Sequence, residues 1–466
     1  MGSLGKSPRA LVVPMQTEGH WSPCMSIIRC LVDHKIDITL CVCQDRADEM
    51  KKYADNGDLA GVDVEVVVVF SHCMSYPLTP DYTVVMEHEL KAKMSEMRPE
   101  RFSCVISDML MSYCEEVADE LDIPYYGLTT TASHYALALV QADSLADGGW
   151  FDNNPETDER FLDAPGLEVF TMRDLNWPAE WKEMLRPASN RAKRTTGLLI
   201  NTFDELEQNS LDVFSSLLQK RCPTGKVPCK IFTIGPLLLF PTLPSFETHV
   251  HEAAKQYVEW LDQKPKSSVV FICFGTNAEV VQSTGLAMAK ALESTHVSFL
   301  WALRLPPGFK KEDILPEGFE ARTQERGLVV ATWVSQQDVL VHPSTAAFIS
   351  HCGWNSTLES IIAGVPIITH PLWADQHMNA RHLVSRLKVA VEIKHETKHE
   401  RGEYTWEAIT EAIKTLMIDE EGQQIRGNMK KLQQAALKAA AEGGSSHRSF
   451  QELGNEIKRP RTLCSY

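Results

Sequence analysis

No stretch of this chain approaches the roughly 20 consecutive apolar residues of a membrane-spanning helix, and the start, MGSLGKSPRALVV, lacks an apolar core of signal-peptide length. A cytosolic protein without stable membrane anchoring is expected. Positive charge is in the minority: 46 Lys and Arg face 62 Asp and Glu, for a net charge of −16. That balance argues against nucleic acid or an anionic membrane as partner. The twelve cysteines include no C-x-x-C pair, and Cys41, Cys43, Cys104 and Cys273 sit inside apolar strand-like runs. Reduced thiols packed as small hydrophobes are expected. Neither G-x-G-x-x-G after an early strand nor G-x-x-x-x-G-K-[ST] occurs, which removes the usual dehydrogenase and NTPase readings of a βα chain. His342, His377, His382, His395 and His399 make no recognisable ligand set, so no metal is expected.

What is present is an alternation of short Val- and Ile-rich runs with helix-period stretches. Ala10 to Val13, Ile38 to Val42, Val64 to Phe70, Ser103 to Ser107, Tyr125 to Leu128, Gly197 to Asn201 and Lys230 to Ile234 read as strands of the first half. After the prolines near Leu239 the theme restarts, with strands expected at Val269 to Phe274, Phe299 to Ala302, Leu328 to Ala331, Ala346 to Ile349, Val365 to Thr369 and Val389 to Ile393. Strands alternating with helices imply parallel sheets covered on both faces. The expected organisation is an α/β chain with a Rossmann-like domain over 1–240, a linker at 241–252, a second Rossmann-like domain over 253–445 and a terminal segment at 446–466. The first helix is expected from about Ser22 or Pro23 to His34, leaving Gly19 and His20 in the preceding loop.

The densest concentration of polar and aromatic function is WVSQQDVLVHPSTAAFISHCGWNSTLESIIAGVPIITHPLWADQ, Trp333 to Gln376. Its centre, AAFISHCGWNSTLE, reads as a strand, a small-residue turn and a helix start. Such a turn aims unpartnered backbone N–H groups and the positive end of the helix dipole outward, a seat for phosphate. His351, Asn355 and Ser356 add side-chain donors there. Trp333 offers a flat ring for a nucleobase at a strand's carboxyl end, Glu359 a carboxylate for ribose hydroxyls, and Asp375 with Gln376 the acceptor and donor that a sugar's vicinal hydroxyls require.

These residues resemble the signature box of the plant family 1 UDP-glycosyltransferases, and the span of 44 residues is the family's box length without gap or insertion. WLDQKPKSSVVFICFGT, LLINTFDELE and IGPLL extend the resemblance over essentially the whole chain, more weakly in the first 240 residues. The resemblance implies a GT-B architecture of two Rossmann-like domains facing each other across a cleft, with 446–466 crossing back to the first. By it, Trp333 stacks on uracil with the backbone of Val334 bonding its edge, and Gln336 and Glu359 hold the ribose. His351, Asn355 and Ser356 take the diphosphate, and Trp354, Asp375 and Gln376 take the sugar. Thr276 stands where the family usually has serine, beside a phosphate. Gln376 and Trp354 favour UDP-glucose, as co-substrate with no other cofactor, over galactose or glucuronic acid donors. The sequence has no D-x-D, the metal anchor of the other glycosyltransferase architecture.

An acceptor hydroxyl needs a base, and histidine has the pKa for it. His20 after the first strand is the candidate, with Asp108, ending FSCVISD, as the carboxylate that fixes its tautomer. Taken alone, each also has an ordinary role: a surface loop histidine and a helix N-cap. The expected reaction is inverting transfer of glucose to a hydroxyl of a small lipophilic acceptor, a phenolic or flavonoid, giving a β-glucoside. A catalytically inactive nucleotide-sugar-binding protein, or transfer to nitrogen, sulfur or carbon of another acceptor, stays open. Trp21, Met111, Tyr113 and His134, with the loop around Trp150 and Phe151, are expected to line the acceptor pocket. The partners expected are the acceptor and the UDP-sugar, and the protein is expected to be a monomer.

Overall fold

The computed structural model describes residues 7–55, 63–70, 80–97, 101–111, 113–149, 159–177, 195–222, 228–240, 251–276, 280–394 and 404–459. Trp150, Phe151, His395, His399 and most of the expected linker lie outside them.

Seven parallel strands form the first sheet: β1 (Arg9–Val13), β2 (Asp37–Cys43), β3 (Val64–Phe70), β4 (Cys104–Asp108), β5 (Tyr125–Thr129), β6 (Gly197–Ile200) and β7 (Lys230–Thr233), in the order β3-β2-β1-β4-β5-β6-β7. The second sheet has six: β8 (Val269–Cys273), β9 (Ser298–Ala302), β10 (Gly327–Val330), β11 (Thr345–Ser350), β12 (Ile367–Thr369) and β13 (Ala390–Glu392), in the order β10-β9-β8-β11-β12-β13. Their central strands are buried on both faces, as β1 and β11 are along their whole lengths, which is why they read as unbroken apolar runs and not as alternations.

Each sheet reverses direction once. The chain leaves β1 towards β2 and returns on its other side as β4; it leaves β8 towards β9 and returns as β11. Open α/β sheets bind ligands at such a switch, outside the carboxyl ends of the strands. Register places the ends level: Val13 is opposite Ser107 in the first sheet, and Cys273 and Thr369 both lie opposite Ser350 in the second. Residues following these positions therefore meet at the two edges.

The last helix, Ser445–Lys458, belongs to the first domain. Phe450, Leu453 and Ile457 are buried in the same apolar cluster as Ile27, Leu31 and Phe232, and Lys230 of β7 pairs with Glu456 at 3.0 Å. No Cβ fits at Gly454, where it would lie 2.5 Å from the His34 ring.

Two expectations change. The first helix runs Glu18–Asp33, so His20 sits in its first turn and not in a loop. Pro23 lies inside it, and its missing N–H leaves the Gly19 carbonyl four residues earlier without its helical donor. Cys43 is disulfide-bonded, which corrects the expectation of reduced thiols at that position. The other cysteines among the described residues are thiols. Among the described residues no helix is long and apolar enough to cross a membrane, and no cluster of His, Cys, Asp and Glu could hold a metal.

Candidate active site

His20 and Asp108 meet across the switch of the first sheet. The His20 Nδ1 lies 2.6 Å from Asp108 Oδ2 and 2.8 Å from Thr130 Oγ1. Asp108 is 3 % exposed, and its other oxygen accepts the Leu110 N–H at 2.9 Å. Burial works to lower the His20 pKa, but the Asp108 charge and hydrogen bond, joined by the charge of Asp375, outweigh it. The imidazole therefore sits above its ordinary 6.5.

Across the cleft, His351 follows β11 and lies between two glycines. A Cβ on Gly353 would come 2.4 Å from its Nε2, and one on Gly275 would come 2.7 Å from its Cε1. Burial pushes its pKa down to about 4, so the ring is neutral near pH 7 and acts by hydrogen bonding. The helix Trp354–Ala363 starts at Gly353 without a side-chain cap, which leaves its first-turn N–H groups facing outward. Gln336 donates to Ser356 Oγ at 2.9 Å and to the Glu359 carboxylate, gathering these three side chains beside the same turn. Trp333 is 41 % exposed, whereas Val334 beneath it is buried. Thr276 is exposed just beyond β8. The Gln376 side-chain Oε1 accepts the N–H groups of Leu372 and Trp373 at 2.9 and 3.1 Å, which orients its NH2 as donor.

The two edges touch directly. The Asn355 amide donates to the Gly19 carbonyl at 2.9 Å, the oxygen that Pro23 cannot serve. Thr131, next to the threonine that holds His20, donates to Asp375 Oδ2 at 2.8 Å. The Trp354 indole N–H donates to the Asn201 carbonyl at 2.8 Å, so its ring is a bolt between domains. With its indole so engaged, Trp354 has its backbone at the helix start to offer a sugar. Trp354→Phe keeps a six-membered aromatic ring but removes the N–H with the rest of the indole, leaving the Asn201 carbonyl unpaired at a buried position, which costs about 1–3 kcal/mol before the void is counted. The thermal midpoint is expected to fall by about 1–3 °C in scanning calorimetry. An unchanged midpoint would mean that the bond contributes nothing.

The expected acceptor residues are buried: Trp21 is 4 % exposed, Met111 1 %, Tyr113 2 % and His134 0 %. Helical geometry turns Trp21 away from His20, under the Arg46 guanidinium at 4.7 Å, with its N–H towards Glu49. Met111 and Tyr113 join the apolar cluster behind β1 and β4. His134 packs between the domains against Glu207 and Asn379. Sequence reasoning missed Thr130, Thr131 and Asn379, whose polar residue types gave no signal before their partners were known.

Two nucleotide-binding folds set edge to edge, with a histidine–carboxylate pair on one and a glycine-bounded helix start on the other, define the GT-B class of glycosyltransferase. The family model for UDP-glucoronosyl and UDP-glucosyl transferase matches residues 246–432. An anthocyanidin 5,3-O-glucosyltransferase from a Rosa hybrid cultivar is 34 % identical over 76 % of this chain and 74 % of its own length. A scopoletin glucosyltransferase from Nicotiana tabacum is 28 % identical over 95 % and 96 %. A solved UDP-glucosyltransferase from Polygonum tinctorium, described as capable of glucosylating indoxyl, superposes with TM-score 0.82 at 26 % identity, covering 98 % of this chain and all of that one. The chain belongs to the plant family 1 UDP-glycosyltransferases and is a glycosyltransferase enzyme.

Proposed function

We propose that the protein transfers glucose from UDP-glucose, with inversion, to a hydroxyl of a small phenolic acceptor. The observation that carries this is the His20–Asp108 contact of 2.6 Å beside Asp375 of the facing domain. With its Nδ1–H held by Asp108, the imidazole presents the lone pair of Nε2 as base. The acceptor oxygen attacks the anomeric carbon, its proton passes to Nε2, and the bond to the diphosphate breaks as UDP leaves. Attack from the face opposite the leaving group turns an α-linked donor into a β-glucoside.

The helix start at Gly353, with neutral His351, Asn355, Ser356 and Thr276, would stabilise the charge growing on the diphosphate, a seat that needs no metal. Trp333 and the Val334 backbone would hold the uracil, Gln336 and Glu359 the ribose, and Asp375 with Gln376 the sugar hydroxyls. Glucose as the sugar is supported by the oriented Gln376 amide and by relatives named as glucosyltransferases. A phenolic acceptor is supported by the anthocyanidin and scopoletin of those names.

Purified protein incubated with UDP-glucose and a panel of flavonoids, simple phenols, terpenoids and thiols is expected to release UDP only with an acceptor, with phenolic β-glucosides as products. Retention of the anomeric configuration, or transfer confined to thiols, would sink this reading. Binding of UDP-glucose with no transfer to any acceptor would favour a nucleotide-sugar-binding protein instead.

A further inference from the structure

Asp375 does not stand alone. Its Oδ2 accepts the Asn379 amide at 2.9 Å, and the same NH2 donates to the Cys352 carbonyl at 3.0 Å. Two acceptors on the nitrogen fix the orientation of that amide, so Asn379 Oδ1 is an acceptor, and it lies 3.1 Å from His134 Nε2. His134 Nε2 must therefore carry a proton. On the other side of the ring, Nδ1 lies 2.8 Å from Glu207 Oε1, again an acceptor. The Nε2–H therefore donates to Asn379, while Nδ1 lies close beside the Glu207 carboxylate without a hydrogen bond in line with it.

The surroundings agree. His134 and Asn379 are fully buried and Glu207 is 2 % exposed. Glu207 leaves helical geometry, at φ −139° and ψ 26°, inside the helix Asp204–Arg221. Its oxygens also accept the Ser133 and His134 N–H groups at 2.9 and 3.2 Å. Burial opposes its ionisation, yet His134 beside it holds its pKa down to about 2. His382, whose ring centre is 4.9 Å from that of His134, is kept neutral chiefly by burial, at about 4.

We infer that His134 is a positioning residue: its ring, seated beside Glu207 of its own domain, acts through the Nε2–H bond to Asn379 to fix the Asp375 carboxylate that reads the donor's sugar. The inference rests on the proposed sugar-binding role of Asp375. It assigns a use to a fully buried histidine that takes no part in the proton transfer. Replacing a fully buried ring disturbs the packing around it, so a local change at Asn379 is the cleaner probe.

Asn379→Ala is expected to lower kcat/KM for UDP-glucose roughly tenfold or more, the scale of a lost hydrogen bond to a charged group, while the Kd of UDP in calorimetry stays within about twofold. A merely structural role would weaken UDP and UDP-glucose together, and that result, or an unchanged kcat/KM, would overturn the inference. A wild type that turns over no UDP-sugar fails the proposed function instead. Nitrogen chemical shifts of labelled histidine in the wild type give an independent reading that needs no variant to fold. The His134 Nε2 is expected to carry a proton, and a ring protonated at Nδ1 alone would also overturn it.

Discussion

Alanine in place of His20 is expected to cut kcat roughly 10²- to 10⁴-fold, the usual contribution of a positioned general base, with the Kd of UDP essentially unchanged. The split follows from geometry. His20 belongs to the first domain and is held by Asp108 and Thr130, whereas the helix start expected to seat the diphosphate belongs to the second. The base works only when unprotonated, and its pKa is raised above 6.5 chiefly by Asp108. The acid limb of kcat/KM should therefore fall above pH 6.5, with activity rising as pH increases through it. Asp108→Asn should move that limb down while lowering the plateau. Stability follows the opposite sign: what the pair contributes to folding is full below the unfolded value near 6.5 and is lost as pH rises through the higher folded value. A limb below pH 6.5 in the wild type, or an alanine variant of undiminished rate, would remove His20 from the mechanism.

Gly353→Ala should weaken UDP binding roughly 5- to 150-fold, the equivalent of the about 1–3 kcal/mol that overpacking costs. The backbone there, at φ −59° and ψ 146°, is ordinary for any residue, so the penalty is steric and not conformational. The new methyl would lie 2.4 Å from the His351 Nε2, and Gly275 packs against the same end of that ring, so the imidazole must shift to admit it. Gly275→Ala combines the same clash with a φ of +80°, so the less strained Gly353 variant is the informative one. UDP titration in a calorimeter reads the effect directly, and an unchanged Kd would show that His351 takes no part in holding the diphosphate.

Much of this site was legible because it is local. From β11 through the Gly353 turn to Gln376, each residue's place depends on its spacing from a strand end, and spacing is written in sequence. The start of the first helix was not legible for the same reason reversed. Pro23 looks like a first helical residue, and it is tolerated further inside because the carbonyl it cannot serve is met by Asn355, 336 residues away. The surroundings of Trp21, His134 and Trp354 were not legible either. An aromatic or imidazole ring suits a cleft or a core equally well, and which it occupies is decided by partners such as Arg46, Glu207 and Asn201 that no periodicity reveals. Both sheets were readable because their strand and helix pattern repeats along the chain.

The placement of Ser445–Lys458 in the first domain's apolar cluster bears on how the protein is made. Synthesis runs from the amino end, so the first sheet leaves the ribosome long before Phe450, Leu453 and Ile457 exist. The domain that is translated first is therefore the last to be completed, and its apolar face must wait through the making of the entire second domain. The same layout constrains anyone recombining such enzymes: an exchange of halves at the connecting segment joins one parent's sheet to the other parent's final helix. A chimera that carries the last fourteen helical residues along with the first domain keeps that core intact.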